Sequence, residues 1–356
     1  MCGSPYAPFT GAAAAMVGCR NSRKSAVTRR RARPIARVFE SFRVNTDSRM
    51  YVAGHRGLVG SAIVRKLQAD GFRNLILRTH AELDLTRQDA VERFFAAEKP
   101  DYVFLAAAKV GGIMANDTKP ADFIRENLAI QTNVIEAARK VAAKKLLFLG
   151  SSCIYPRLAP QPISEDSLLT GPLEPTNEAY AIAKIAGYMM CRSYWRQYGF
   201  KAISLMPTNL YGPHDNFDPM GSHVLPGLIR RFHEAKLANM PEVTVWGSGT
   251  PRRELMHADD LADAAVAMMR TYDSPDIVNI GTGDDVTVAE LAALVKDVVG
   301  YRGKLTFDPT KPDGMPRKVL DVTRIHALGW RAKIALADGV RETYRWFVAN
   351  VADRAA

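Results

Sequence analysis

Hydrophobic positions fall into short unbroken runs, separated by stretches in which apolar and polar residues recur at helical spacing. From Met50 onward the runs read MYVAG, NLILR, DYVFLAAA, KLLFLGSS, AISLMPTN and IVNIG. Between them, amphipathic stretches begin at about Val59 and cover about Thr86 to Ala97 and Asp122 to Ala143. A run that is apolar at every position suits a strand covered on both faces. Strands alternating with helices predict an α/β chain with a doubly wound parallel sheet. Residues 49–215 and 251–283 carry this alternation. Residues 216–250 and 284–350 fit it less well. They bring Pro and Gly punctuation and the aromatics Trp246, Phe307, Trp330 and Trp346, and predict a smaller α/β substrate-binding domain made of discontinuous pieces. No internal repeat is visible.

The chain carries a net charge of +11, but residues 1–49 hold ten Lys and Arg against two acids, which leaves +3 for the rest. A body so near neutral has no broad surface for nucleic-acid phosphates. Residues 1–48 form a basic extension, rich in Ala, Arg and Ser and without an acid before Glu40. Its composition is that of an organelle transit peptide or of a disordered tail. No stretch approaches the roughly 20 apolar residues of a membrane span. The cysteines Cys2, Cys19, Cys153 and Cys191 lack metal-ligand spacing, so no metal site is expected. So few of them in so long a chain point to a reducing compartment. That is the cytoplasm, or a plastid or mitochondrion if the extension is a transit peptide.

The first candidate chemistry follows the first run, in AGHRGLVGSAI. Gly54, Gly57 and Gly60 permit a tight turn, a close backbone approach to a pyrophosphate and close packing of helix on strand. The amides of Leu58, Val59 and Gly60 then open a helix toward the phosphates. This is the dinucleotide-binding turn of a Rossmann domain. The second run ends Leu77, Arg78, Thr79, His80, with no acid before Glu82 to bond a ribose 2′-hydroxyl. Arg78 and Arg56 offer planar guanidinium groups to a 2′-phosphate, so NADP is favoured over NAD.

Tyr180 and Lys184 in EAYAIAKIAG are four residues apart and share a helix face. A phenol is a poor acid or base at neutral pH, and a nearby ammonium favours its anion. The tyrosine can then pass a proton to or from a carbonyl or alcohol oxygen while hydride moves on nicotinamide. Ser151, at the end of KLLFLGSS, can bond the same oxygen.

The glycine triplet, DYVFLAAA, GSS and YAIAK, in that order, resemble the extended short-chain dehydrogenase/reductases over roughly residues 49–350. The stretches LAAAKVGGI, FLGSSCIYP, LEPTNEAYAIAKIAG, MPTNLYGPHDNF, SHVLPGLIRRFHEA, VWGSG, KPDGMPRK and LDVTR resemble one family within it, the GDP-L-fucose synthases. That resemblance implies a GDP-linked 4-keto-6-deoxy sugar as substrate, inversion at C3 and C5, reduction at C4 by NADPH, and a homodimer formed through the helix bearing Tyr180 and its neighbour. It implies Cys153 as base and His223 as acid for the inversion. A thiolate can serve as a carbon base and an imidazole titrates near neutrality. Cys153 lies two residues after Ser151, so both face one way on an extended backbone. The resemblance also implies substrate contacts at His223, Arg231, Trp246, Arg253 and Asp313, and cofactor contacts at Lys184, Pro207, Asn209 and Leu210.

Three positions depart from the family pattern: His80 where a second phosphate-binding arginine is usual, Met315 where threonine is usual, and Arg252 where an aromatic is common. Two neighbouring chemistries fit worse. A sugar-nucleotide 4,6-dehydratase would carry an Asp-Glu pair where Ser152 and Cys153 stand, and a 4-epimerase would end the second run in an acid. A dinucleotide sensor without activity would have lost Tyr180 or Lys184. A nucleic-acid binder rests on the basic extension alone.

Overall fold

The central strands are covered on both faces, and that is why they are apolar throughout. The computed structural model describes residues 44–219, 221–311 and 313–352, so the basic extension up to residue 43 lies outside the described residues. Every residue of β1 (Met50–Ala53), β3 (Tyr102–Leu105), β4 (Lys145–Leu149) and β5 (Ala202–Pro207) is buried. In chain order β1 is followed by α1 (Leu58–Ala69), β2 (Leu75–Ile76), α2 (Gln88–Glu98), β3, α3 (Ile113–Thr118), α4 (Pro120–Lys140), β4, α5 (Glu178–Tyr198) and β5. Then come β6 (Asn209–Tyr211), α6 (Val224–Leu237), β7 (Glu242–Trp246), β8 (Arg252–Arg253), β9 (Leu255–His257), α7 (Ala258–Thr271) and β10 (Ile277–Ile280). The chain closes with β11 (Val286–Thr287), α8 (Val288–Val299), β12 (Lys304–Asp308), β13 (Arg317–Lys318), α9 (Thr323–Ala327) and α10 (Leu336–Asn350).

Six strands pair in parallel in the order β10-β5-β4-β3-β1-β2. Helices α2, α4 and α5 pack together as one layer and α1 with α7 as the other. The expected doubly wound parallel sheet is therefore present. From β1 the chain builds outward to β2, then returns to the opposite side of β1 for β3. The order reverses there, and the crevice beyond the carboxyl ends of β1 and β3 is where such sheets hold ligands.

Two elements differ from expectation. The run NLILR gives only the two-residue strand β2, which has a partner on one side alone. Helix α4 starts at Pro120, whose fixed φ suits a first turn, and stops at Lys140, before Ala142 with φ +55°.

A second apolar cluster lies outside the sheet. Phe232 of α6, Val243 of β7, Leu291 of α8 and Phe347 of α10 meet in it. Beside it β7 pairs with β12 in parallel, and β8 is held between β11 and β13. Leu320, Val322, Ile325 and Trp330, read from sequence as part of the smaller domain, pack instead into the core of the sheet. The indole of Trp330 donates to Asp263 of α7 at 3.0 Å, which explains the exchange. Tyr211 goes the other way and joins the second cluster.

The seat of α5 depends on Gly187. A Cβ there would stand 2.4 Å from Cζ of Phe148 in β4 and 2.6 Å from Oε1 of Gln131 in α4. Both neighbours are buried, and Gln131 is fixed by donating to the carbonyl of Ala183 at 2.7 Å. Gly187→Ala should therefore lower unfolding stability by about 1–3 kcal/mol, the usual range for overpacking. Denaturant unfolding checks this, and an unchanged midpoint would show that α5 can move away.

Candidate active site

The turn after β1 is closed as tightly as its glycines allow. Gly54 has φ +82°, and a Cβ on Gly60 would lie 2.0 Å from the carbonyl oxygen of Gly54. The Gly57 amide donates to that same oxygen at 3.0 Å. Helix α1 starts directly on this turn with no side-chain cap and no acid in its first turn. The amides of Leu58, Val59 and Gly60 therefore have no partner inside the helix. Unpaired amides at the positive end of a helix, on a turn with no room for side chains, fit a dinucleotide pyrophosphate.

The two arginines are not equivalent. Arg78 donates to Glu98 of α2 at 2.5 Å and to the carbonyl of Leu77 at 2.9 Å, with its guanidinium over the Phe94 ring. No acid ends β2, but Glu98 arrives from the next helix, which the end of the strand gave no means to foresee. Arg56 is exposed and makes no hydrogen bond or ion pair among the described residues. His80 points away, 85% exposed and 4.0 Å from Asp84.

Across the sheet, β4 delivers the candidate proton-transfer groups. Its end is not extended as far as expected: Ser152–Ile154 form a 3₁₀ turn, capped by Ser151, whose Oγ accepts the Cys153 amide at 3.2 Å. The turn, rather than strand alternation, brings Cys153 close to Tyr180 on α5, and Ser151 makes a hydrogen bond with the Tyr180 hydroxyl. Tyr180 is half-buried, with Phe123 edge-on to its ring at 6.3 Å. Burial pushes its phenol up, the neighbouring Cys153 adds to that, and the Ser151 hydrogen bond offsets part.

Lys184 is buried, donates to the carbonyl of Leu149 at 2.8 Å and stands 5.8 Å from the centre of the Tyr180 ring. Burial brings Lys184 itself down to about 8.

The other wall carries His223, at the start of α6. Its loop is tied to the loop after β3, where the Gly112 amide donates to the Gly221 carbonyl at 3.1 Å. The imidazole is exposed on that wall, and crowding by the protein around it, then the Lys318 ammonium, holds it below its usual value. Trp246 is 59% exposed at the end of β7, so it is no core residue, and Lys311 lies over its ring. Arg231 reaches the Thr244 carbonyl of the same strand at 3.1 Å. Arg253 donates to the carbonyls of Arg252 and Met315. Asp313 is occupied by the amide and hydroxyl of Ser248, at 2.7 and 2.8 Å. Pro207 ends β5, while Asn209 and Leu210 open β6, where the Asn209 amide donates to the Glu254 carbonyl at 2.9 Å.

Sequence reasoning passed over three residues. Asn177 and Lys318 both donate to the Cys153 sulfur, at 3.5 and 3.6 Å. They stand inside LEPTNEAYAIAKIAG and KPDGMPRK, so the motifs pointed at them without giving them a task. The third is Asp285, which accepts from Arg252 and Arg317, each at 2.5 Å, and gives the departing Arg252 its place. Met315 meets Arg253 through its carbonyl alone, which any residue supplies.

A glycine turn at the switch point, a serine after β4 with a tyrosine and a lysine on α5, and a polar cleft opposite define a dinucleotide-dependent dehydrogenase/reductase of the extended short-chain type. Residues 50–281 match the NAD dependent epimerase/dehydratase family. The chain is 64% identical to GDP-L-fucose synthase 1 of Arabidopsis thaliana, over 86% of this chain and 95% of that protein. It is 57% identical to GDP-L-fucose synthase of Escherichia coli K12, over 86% and 98%. A solved GDP-mannoheptose C4 reductase from Campylobacter jejuni, with NADP bound, superposes with a TM-score of 0.79 at 44% identity, over 85% and 99%. The chain belongs to the GDP-L-fucose synthase family, within the NAD dependent epimerase/dehydratases.

The buried Lys184 has a consequence for stability. Its folded value of about 8 lies below the ordinary 10.5, so between these the unfolded chain binds more protons and stability rises with pH. Each pH unit is worth about 1.4 kcal/mol at most. Lys184→Met removes this contribution. Urea unfolding of the two proteins at pH 7.5 and 9.5 should show the wild type gaining on the variant by roughly 1–3 kcal/mol. No relative gain would mean that the ammonium is solvated in the folded protein.

Proposed function

We propose that this protein converts GDP-4-keto-6-deoxymannose to GDP-L-fucose, by inversion at C3 and C5 followed by reduction at C4. The observation that carries the proposal is the thiol of Cys153 beside the Ser151–Tyr180 pair, with His223 on the facing wall. A reductase needs only the pair, so the thiol and imidazole speak for chemistry at carbon as well.

NADPH is the proposed cofactor, held by the Gly54–Gly60 turn, the first amides of α1, Arg56, Lys184 and the stretch Pro207 to Leu210; when bound it supplies the hydride for C4. Arg56, exposed beside the turn, suits a 2′-phosphate better than Arg78, which Glu98 already engages. Arg231, Trp246, Arg253 and Asp313 are proposed to receive the GDP-sugar, Asp313 by holding the turn at Ser248.

The 4-carbonyl acidifies the hydrogens at C3 and C5. Cys153 as thiolate takes one, the electrons pass into the carbonyl oxygen, and His223 returns a proton from the opposite side. Burial and then the Lys318 ammonium lower the proton affinity of His223, and the negative diphosphate of a sugar nucleotide offsets the second of these. Tyr180, with Ser151, then protonates the oxygen at C4. Residues 216–250 and 284–350 are proposed as the substrate-binding part. Exposed Ile182 and Met189, seven residues apart on α5, suit a homodimer through that helix. No helix of the described residues is long and apolar enough to cross a membrane; the proposed compartment is the cytoplasm, or a plastid or mitochondrion if residues 1–48 act as a transit peptide.

Turnover with NADPH should exceed that with NADH by at least about tenfold in kcat/KM, or roughly 1.4 kcal/mol. Arg56→Ala should erase most of the preference, and equal kcat/KM for both cofactors in the wild type would sink the phosphate-binding role.

The two chemistries separate by mutation. Tyr180→Phe should lose about 10²- to 10⁴-fold in reduction, the range for a general acid–base group. It should still exchange the C3 and C5 hydrogens with solvent deuterium. Cys153→Ser should lose that exchange and keep reduction of a 4-keto sugar, with His223→Asn between the two. If Cys153→Ser exchanges as fast as wild type, the protein is a simple C4 reductase.

A further inference from the structure

Cys153 has more company than a base at rest requires. Its sulfur receives the side-chain amide of Asn177 at 3.5 Å and the ammonium of Lys318 at 3.6 Å. Asn177 stands directly before α5, the position where an asparagine usually caps the helix with its side chain. Here it makes no cap: the amide turns to the sulfur, and its carbonyl oxygen is buried without a partner. An asparagine that leaves both a helix end and its own oxygen unsatisfied is being used for something else. Lys318 is equally particular. It forms no ion pair with a carboxylate among the described residues, although Glu174 lines the same recess. Glu174 is instead engaged by Arg157 at 3.3 Å. The backbone of Lys318 is fixed along β8, by pairing of β13 with β8 and by the amide of Glu254, the residue after β8, which donates to its carbonyl at 3.2 Å.

We propose that Lys318 and Asn177 are positioning residues that hold Cys153 as a thiolate and aim it at the substrate. This rests on the reading of Cys153 as the base at carbon. The ammonium supplies the opposite charge and the amide a hydrogen bond, both of which favour the charged sulfur. The other titratable groups around the sulfur are Tyr180, on which its charge acts, and Glu174, while His223 faces Lys318 from the opposite wall. When the thiolate takes a proton from carbon, an S–H bond forms, the C–H bond breaks, and its electron pair moves into the carbonyl oxygen. Sulfur becomes neutral and Lys318 loses its counter-charge, so the proton is easily surrendered for the next cycle.

The test is alkylation of Cys153 by iodoacetamide in the full chain without substrate, followed on the Cys153 peptide by mass spectrometry as pH is varied. In Lys318→Met the pH midpoint of alkylation should rise by about one unit or more, with a roughly tenfold slower reaction at pH 7. Asn177→Ala should move it the same way by less, and Lys318→Arg, which keeps the charge, should return it close to wild type. Deuterium exchange at C3 and C5 should fall with alkylation, through kcat more than KM. Thermal unfolding shows whether each variant folds, and the Arg and Ala variants carry the test should the Met variant not fold. If Lys318→Met alkylates like wild type and only KM rises, Lys318 binds substrate directly and the proposal is overturned. The alkylation arm is independent of the reaction: Cys153→Ser that still exchanges deuterium would defeat the reading of Cys153 as base, whereas an unmoved alkylation midpoint defeats the clamp alone.

Discussion

One carboxylate without access to water holds the cleft together. Glu254, between β8 and β9, is fully buried and has no ion-pair partner among the described residues. Its oxygens accept the amides of Thr282 and Gly283, just past β10, at 2.7 and 2.8 Å, and the amide of Leu320 at 2.9 Å. Its backbone carbonyl takes the Asn209 side chain and its amide reaches Lys318. Burial pushes the carboxyl up and the amides draw it back, so its charge depends on their staying in place. The last strand of the sheet, the start of β6 and the segment bearing Lys318 all meet at this one residue. A buried acid whose partners are backbone amides cannot be relieved by a rotamer change, which makes the junction stiff.

Stiffness at that junction matters because the polar groups of the cleft come from segments far apart in sequence. Ser151 and Cys153 ride on the sheet, His223 on α6 and Lys318 on β13. The cleft places them by main-chain hydrogen bonds: Gly112 to Gly221 on one side, Glu254 to Lys318 on the other. Side-chain ion pairs do little of this. The exception is Asp285, whose carboxylate ties Arg252 of β8 to Arg317 of β13, whereas a pair such as Arg139 with Glu136 lies within a single helix.

Legibility in the sequence followed the range of the interaction. The sheet strands could be read because burial on both faces leaves a run with no polar gaps, as in Val103 and Phe104 or Leu146 and Leu147. The glycine turn could be read because its constraint is local to seven residues. Edges were harder: β2 pairs on one side only, and nothing in NLILR says where its ladder stops. The engagement of Arg78 by Glu98, twenty residues on, the passage of Trp330 into the core of the sheet and the donors on Cys153 were illegible for a common reason. Each is set by tertiary contact between segments whose own patterns are ordinary. The misreading at Cys153 was of another kind. A serine can cap a 3₁₀ turn as readily as it ends a strand, and the capping hydrogen bond won.

The place of β10 in the sheet has a bearing on how the chain is made. The polypeptide leaves the sheet at Pro207 and returns only at Ile277, to lie in parallel beside β5. During synthesis from the N-terminus β5 is therefore an open edge, with free amides and carbonyls, while the whole of α6 through α7 emerges. Parallel pairing at such a distance closes slowly, since a long loop must be ordered before any ladder bond rewards it. The nascent chain thus passes through a stage with five strands joined and a sixth missing. The ribosome and whatever attends it must keep that edge from other edges until residue 280 is out.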